Sequence, residues 1–119
     1  MKKDEFYLMH ILSAIDDIED FTKNVTFDSF RINREKQNAT IRSIEVIGEA
    51  TKHLSKDLRS KYPQIPWKKI IGMRDILIHE YFGVKVDRIW EVVQNDIPLL
   101  KEIVKQAISD IDRSYNLDF

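Results

Sequence analysis

The sequence contains no cysteine and little glycine or proline, and these shortages limit the possible folds. The 119 residues include 3 Gly and 3 Pro. The absence of cysteine excludes a disulfide framework, a thiolate nucleophile and a cysteine metal site, and it fits a reducing compartment. With so few turn-forming residues, many short strands joined by tight turns are disfavoured, and long helices are expected.

Long hydrophobic runs are also missing. No segment approaches the ~18 to 20 apolar residues that a membrane-spanning helix needs, and acids interrupt the N-terminal region, so it is not a secretory signal. Hydrophobic residues make up 43% and charged residues 33%, which is too apolar for a disordered chain. We therefore expect one cytoplasmic domain over residues 1–119, with no membrane contact.

The total charge of −1 hides two segments of opposite sign. Residues 1–20 carry two basic and six acidic side chains, net −4, whereas residues 51–74 carry seven basic side chains and one acid, net +6. The basic segment is compatible with phosphate binding. It is also compatible with a solvent-exposed surface whose positive charge is balanced by the negative charge of residues 1–20.

Apolar residues recur at helical spacing in the first half of the chain. They predict a first helix to about Asn24 and a long second helix over residues 28–54. The first half of the second helix, RINREKQN, is unusually polar for a core helix, so it is either exposed or lines a polar cleft or interface. The predicted N-cap residues of the chain are Asp4, Asp28, Ser55 and Asp87.

The second half of the chain predicts three more helices. A short one ends near Tyr62, and Pro66 opens another that runs to about His79. Pro98 lies inside the last helix and should kink or break it near Asp96, and the tail from about residue 112 is expected to fray. The fold class is therefore all-α: an up-and-down bundle of about four main helices plus one short helix.

Most sequence motifs of enzymes are absent. The chain has no Gly-rich phosphate loop, HExxH, EF-hand loop or G-x-S-x-G. Its three histidines, His10, His53 and His79, lie far apart in sequence and match no metal spacing. Distant carboxylates remain a conceivable metal site, but we predict no metal and no cofactor.

One segment, GMRDILIHEY over residues 72–81, concentrates reactive side chains. On a helix Asp75 and His79 are i,i+4 and share a face, so Asp75 is able to orient the imidazole. Arg74 and His79 are about 140° apart on the same helix. Two arrangements bring them to one phosphate: the helix ends near His79 and turns it back, or a two-fold dimer combines two chains.

Arg74-x4-His79-x-Tyr81 resembles the RX4HXY signature of the HepT-like toxins, a branch of the HEPN superfamily. Residues 47–50 resemble the family's IGEA segment, and Arg42 resembles an arginine upstream of it. The likeness continues through YP-x-IPW-x-x-I-x-GMR and LIHEY, and it covers about residues 6–100. Asp75 departs from the family, which often has Asn there.

The resemblance implies a metal-independent RNA endonuclease, the toxin of a type VII-like toxin–antitoxin system. Arg74 would hold the scissile phosphate and His79 would act as general acid or base around the RNA 2′-hydroxyl. Asp75 and Glu49 would support them. The expected products carry a 2′,3′-cyclic phosphate and a 5′-hydroxyl. Lys68, Lys69 and Arg42 are the candidate RNA-binding residues.

The resemblance also implies two protein partners. HEPN ribonucleases are typically homodimers whose Arg-x4-His elements meet in a cleft between subunits. In HepT–MntA-type pairs, a nucleotidyltransferase antitoxin transfers AMP onto the signature tyrosine, which is Tyr81 here. The added bulk and negative charge would block the cleft.

Two other hypotheses remain open at this stage. The chain is alternatively a non-catalytic HEPN module that binds a nucleotidyltransferase partner or a nucleotide. A third interpretation is a structural helical adaptor whose basic segment is merely solvated. Neither of these needs Arg74, His79 and Tyr81 together.

Overall fold

Helices account for all the regular secondary structure in the described part of the chain. The computed structural model describes the backbone of residues 2–79 and 86–117 and the side chains of residues 3–73 and 86–114. The elements are α1 (Lys2–Thr22), α2 (Phe27–Arg31), α3 (Arg34–Lys52), α4 (Lys56–Lys61), α5 (Trp67–His79), α6 (Val86–Glu91), a π-helical segment (Val92–Asp96) and α7 (Ile97–Leu117).

This arrangement confirms the all-α fold class. The elements α6, the π-helical segment and α7 follow one another without a break, so they form one long helical stretch beside α1, α3 and α5. These are the four main helices that the periodicity predicts. Two short helices, α2 and α4, accompany them, rather than one. No helix of the described ranges is long and apolar enough to cross a membrane.

The core lies between the apolar faces of α1, α3, α5 and α7. Leu8, Ile11, Ile15 and Ile18 of the predicted α1 stripe are fully buried. Burying each such side chain contributes roughly 1.5–3 kcal/mol. The buried residues of the other main helices include Ile44, Ile47, Ile70, Ile97, Leu100, Ile103 and Val104.

The two long N-terminal helices, α1 and α3, run antiparallel. At one end, Lys36 Nζ donates to the Phe21 carbonyl at 3.0 Å. At the other end, the Ser55 backbone N–H donates to Asp4 Oδ1 at 2.8 Å and the Ser55 hydroxyl donates to Asp4 Oδ2 at 2.6 Å. The prediction that Asp4 caps α1 is therefore wrong, because this buried carboxylate binds Ser55 instead.

The predicted helix over residues 28–54 is divided in two. Asn33 has extended backbone and its side chain accepts a hydrogen bond from Lys36 N–H at 3.0 Å, so it starts α3. Gln37 Nε2 donates to the last carbonyls of α2, those of Phe30 and Arg31. The polar half of the predicted helix thus includes two side chains that satisfy backbone groups at a helix break.

Capping explains two further differences from the predicted boundaries. The N-cap of α2 is Thr26, whose side chain accepts from Ser29 N–H at 3.2 Å, and Asp28 lies inside the first turn. Asp87 likewise lies in the first turn of α6. The prediction for Ser55 is confirmed, since its hydroxyl accepts from Leu58 N–H at 3.1 Å and starts α4.

Pro98 disturbs the last helical stretch at the predicted place. The residues directly before it form the π-helical segment, in which Ile97 N–H donates to the Val92 carbonyl five residues back. Because Pro98 has no N–H, it cannot continue the α-helical ladder, and the wider π turn accommodates this loss. The helix then continues to Leu117, beyond the expected start of fraying at about residue 112.

Candidate functional site

Helix α5 carries both candidate catalytic residues and one candidate supporting residue. Arg74, Asp75 and His79 all lie on it, and their side chains are outside the described part of the structure. Helical geometry places Arg74 and His79 about 140° apart around the axis and Asp75 one turn before His79. Tyr81 lies outside the described residues altogether.

Helix α5 is anchored at its start by Trp67. The Trp67 indole N–H donates to the carbonyls of Arg59 and Tyr62, both at 3.0 Å. Its own backbone N–H donates to the Ile65 carbonyl at 2.9 Å, and Ile70 N–H donates to the Pro66 carbonyl at 3.1 Å. These bonds explain why YPQIPW forms an ordered connection that fixes the direction of α5.

The same anchoring turns the first basic residues of α5 outward. Trp67 and Ile70 are buried, whereas Lys68 and Lys69 between them are exposed. Lys68 and Lys69 share a shallow surface depression with Lys56 and Arg59 of α4. We call these four residues the basic surface.

One member of the basic surface already has a partner. Lys69 Nζ lies 3.2 Å from Asp96 Oδ2 at the end of the π-helical segment. This exposed pair has a small energy and does not prevent Lys69 from meeting a phosphate. It nevertheless lowers the local positive charge at Lys69, which makes Lys68 the stronger of the two RNA-binding candidates.

The remaining candidates, Arg42 and Glu49, lie elsewhere, on α3. Both line a groove of about 320 Å³ between α3 and the N-terminal half of α1. We call it the α1–α3 groove. The Arg42 side chain is 76% exposed and sits 3.4 Å from Glu45, and Glu49 Oε1 lies 3.5 Å from His53 Nε2. The structure therefore separates the RNA-binding candidates into two surfaces.

The groove also contains aromatic residues that motif analysis did not single out as functional. The ring of Tyr7 stacks on His53 at 4.8 Å and 13°, and the ring of Phe6 lies 4.5 Å from that of His10. The available signal was the spacing of positions 6, 7 and 10, which places aromatic rings beside the apolar stripe of α1. Their meeting with α3 depends on tertiary packing and leaves no local pattern.

Metal-binding geometry is not found in the part of the chain that the structure describes. Within those ranges, no group of three or more His, Asp or Glu side chains is placed to hold a metal ion. The chemistry of the candidate residues is that of an imidazole, a guanidinium and lysine ammonium groups. Such groups bind phosphate and transfer protons.

The chain is similar in sequence to several known proteins, of which three are described. A Methanocaldococcus jannaschii protein, named as a gamma-glutamylcyclotransferase and candidate RNase, is 49% identical over 117 residues, 98% of this chain. This chain spans 53%, about half, of that relative's length. A second M. jannaschii protein, named as a candidate RNase, is 46% identical over 112 residues and 93% of both chains.

A third relative carries the family's own name. A Thermococcus cleftensis protein named as a probable ribonuclease HepT is 46% identical over 95 residues, which cover 80% of this chain and 86% of that one. No solved structure matches the chain. The model of the family described as ribonuclease HepT-like matches residues 11–107, which include α3, α5 and about half of α7. With this match over most of its length, the chain belongs to the HepT-like ribonuclease family.

Proposed function

We propose that the chain is an RNA endonuclease in which Arg74 and His79 are the catalytic residues. The observation that carries this proposal is the occurrence of both residues at the signature spacing on α5 in a member of the HepT-like ribonuclease family. The names of the relatives, which describe RNases, support the same activity. The proposed reaction uses an imidazole and a guanidinium, so it does not require cysteine, which the chain lacks.

The reaction is a transesterification within the RNA backbone. His79 accepts the proton of the 2′-hydroxyl, whose oxygen attacks the adjacent phosphorus. The bond from phosphorus to the 5′-oxygen breaks, that oxygen takes up a proton from water, and His79 releases its proton to solvent. Arg74 holds the phosphate and stabilises the charge that develops on its oxygens, while Asp75 orients the His79 imidazole. The products are a 2′,3′-cyclic phosphate and a 5′-hydroxyl.

The active form proposed here is a homodimer. Positions 74 and 79 are about 140° apart on a straight helix, and a two-fold dimer is one of the two arrangements that bring both residues to one phosphate. A two-fold axis near the end of α5 would bring Arg74 of one chain toward His79 of the other. Glu49 would support this arrangement from α3.

The basic surface would hold the RNA backbone. Lys68 stands beside Lys56 and Arg59, and all three belong to a segment whose net charge is +6. Contacts of this kind supply affinity that is independent of sequence and depends on salt. Arg42 would contribute a further phosphate contact from the α1–α3 groove.

The physiological role proposed is that of a type VII-like toxin, neutralised by AMP transfer onto Tyr81. Tyr81 is two residues beyond His79 in the sequence, and under this proposal the modified group borders the catalytic cleft. Each AMP would add a negative phosphodiester close to Arg74 and repel the RNA backbone. The modifying enzyme is a nucleotidyltransferase of the MntA-like kind.

Induced expression in a bacterial host tests the cellular function. Wild type is expected to arrest growth and to degrade part of the total RNA, whereas Arg74→Ala and His79→Ala should do neither. Arg88→Ala is the matched control, because Arg88 is an exposed arginine on α6 outside the proposed site. Immunoblots would verify equal expression. Growth arrest by His79→Ala as strong as that by wild type would contradict the proposal.

A further inference from the structure

The α1–α3 groove combines rings, a cation and a carboxylate that no motif of the chain assigns to one task. On α1 it is lined by Phe6 and His10, and on α3 by Arg42, Glu49 and His53. Arg42 and His53 are eleven positions apart, which corresponds to roughly 16 Å along α3. The groove therefore has an aromatic end at His53 and a cationic end at Arg42.

The ring pair on α1 is available to solvent. Phe6 is 56% exposed, although a large apolar side chain of a helix normally faces the core. His10, one turn further along α1, is also exposed, and the two ring centroids are 4.5 Å apart. The two rings are tilted by 57° to each other, so a planar ligand is able to stack on the exposed ring of Phe6 rather than across both rings.

Arg42 supplies the groove with a group that binds phosphate. The Arg42 guanidinium is 76% exposed, and its 3.4 Å contact with Glu45 is a surface pair of small energy, so it is able to bind a phosphate. A simple apolar partner would not need this charge.

We propose that the α1–α3 groove binds a single-stranded segment of the RNA substrate, with one base stacked on the exposed ring of Phe6 and a phosphate further along the strand on Arg42. This proposal rests on the proposed RNase function and names a second contact region for its substrate, which is lined by residues of α1 and α3 and shares no residue with the basic surface. Unpaired bases stacked on aromatic side chains are the usual means of single-stranded RNA recognition. The groove thus favours unpaired RNA over a duplex.

The test measures binding of a fluorescent single-stranded 2′-O-methyl RNA, which lacks the free 2′-hydroxyl and is not cleaved. Phe6→Leu keeps an apolar side chain but removes the ring, and it should weaken binding about tenfold. Phe6→Tyr restores a ring and should stay within about twofold of wild type. Met9→Leu is the matched control, because Met9 is a 51% exposed apolar residue of α1 that does not line the groove.

Salt dependence separates the phosphate contact from the stacking contact. Arg42→Gln should make the slope of log affinity against log salt less steep by about 0.7, whereas Phe6→Leu should leave that slope unchanged. Both variants change exposed side chains, and their unfolding curves would be compared with that of wild type to confirm that they fold.

Three results would overturn the proposal. The first is equal binding by Phe6→Leu and Met9→Leu, and the second is an unchanged salt slope for Arg42→Gln. The third is a change in sedimentation with Phe6→Leu, which would identify the face as a contact between protein chains. His79→Ala is included to separate the two claims, since its cleavage of unmodified RNA tests the catalytic site and not the groove. RNA cleavage by His79→Ala would refute the proposed catalytic site without affecting the result for the groove.

Discussion

Tyr62 is a buried residue whose hydrogen bonds connect α7 and the start of α5. Its hydroxyl donates to Asp110 Oδ2 of α7 at 2.5 Å, while its backbone carbonyl accepts the Trp67 indole N–H that anchors α5. Burial, followed by the hydrogen bond and the negative charge of Asp110, raises the pKa of Tyr62 from 10.0 to about 12. The side chain therefore keeps its proton longer in the folded chain than in the unfolded one.

This pKa shift predicts a loss of stability at alkaline pH. Below pH 10 the tyrosine is protonated in both states, so its full contribution is present. Between about pH 10 and pH 12 only the unfolded state releases the proton, which lowers the free energy of unfolding by up to about 1.4 kcal/mol per pH unit. Tyr62→Phe should cost about 1 kcal/mol at neutral pH and lack this contribution.

Urea unfolding of wild type and Tyr62→Phe at about pH 8 and about pH 11 checks this prediction. Groups shared by the two proteins cancel in the comparison, so the difference in their free energies of unfolding isolates Tyr62. A difference that shrinks at the higher pH agrees with the account. A constant difference would show that the Tyr62–Asp110 bond does not govern this titration.

At the scale of elements, Asn33 defines where α3 begins. Its side chain accepts from Lys36 N–H at 3.0 Å and satisfies one of the four backbone donors that a helix start leaves open. Asn33→Ala should lower the free energy of unfolding by about 1 kcal/mol, whereas Asn33→Asp and Asn33→Ser should retain most of it. Urea denaturation of the three variants gives the comparison, and equal losses in all three would exclude a capping role.

In helix α5, by contrast with Asn33→Ala, a single substitution is expected to raise the free energy of unfolding. Gly72 lies inside it, and a Cβ placed there meets no described atom within 4 Å. Because glycine weakens a helix interior and no described atom obstructs a Cβ at this position, Gly72→Ala should raise the free energy of unfolding by about 1 kcal/mol. Thermal or urea unfolding measures the change, and a destabilised variant would mean that position 72 needs glycine for another reason.

The elements also show what the sequence is able to predict. The α1 stripe of Leu8, Ile11, Ile15 and Ile18 predicts a buried face correctly, because periodic burial is a local property. The break at Asn33 was not predicted, since asparagine is tolerated both within helices and at their starts. Asp4 was predicted wrongly because its partner, Ser55, lies 51 positions away and only the antiparallel packing of α1 and α3 unites them.

At the scale of the whole molecule, the sequence indicates which residues are candidates for the active site but not how they are assembled. The spacing of Arg74 and His79 identified candidates, but their separation around α5 leaves open which chain supplies each one. Similarly, the groove depends on Phe6 and Arg42 coming from different helices. The family signature located chemistry that composition and periodicity alone did not distinguish from a solvated helix face.

Mixed dimers test how the proposed active site is assembled. If Arg74 and His79 of different chains form each site, a dimer of one Arg74→Ala chain and one His79→Ala chain has one complete site. Random mixing of the two inactive variants should then restore about a quarter of the wild-type cleavage rate. No recovery, in mixtures shown by mass spectrometry to contain mixed dimers, would assign both residues to one chain.

Regulation through Tyr81 makes a prediction of its own. Co-expression with an active cognate nucleotidyltransferase should add the mass of one or more AMP groups to the wild-type chain and none to Tyr81→Phe. Intact-mass spectrometry and peptide mapping give the readout. An inhibited toxin of unmodified mass would indicate inhibition by occlusion instead of by covalent charge.

The most direct test of the central claim is cleavage of RNA by the purified protein in the presence of a metal chelator. Wild type should cut single-stranded RNA to products with 2′,3′-cyclic phosphate and 5′-hydroxyl ends and should not cut DNA, which lacks the attacking 2′-hydroxyl. His79→Ala should lower the rate by about 10²- to 10⁴-fold, while Arg88→Ala should retain it. Undiminished cleavage by His79→Ala, or products with 5′-phosphate ends, would contradict the account.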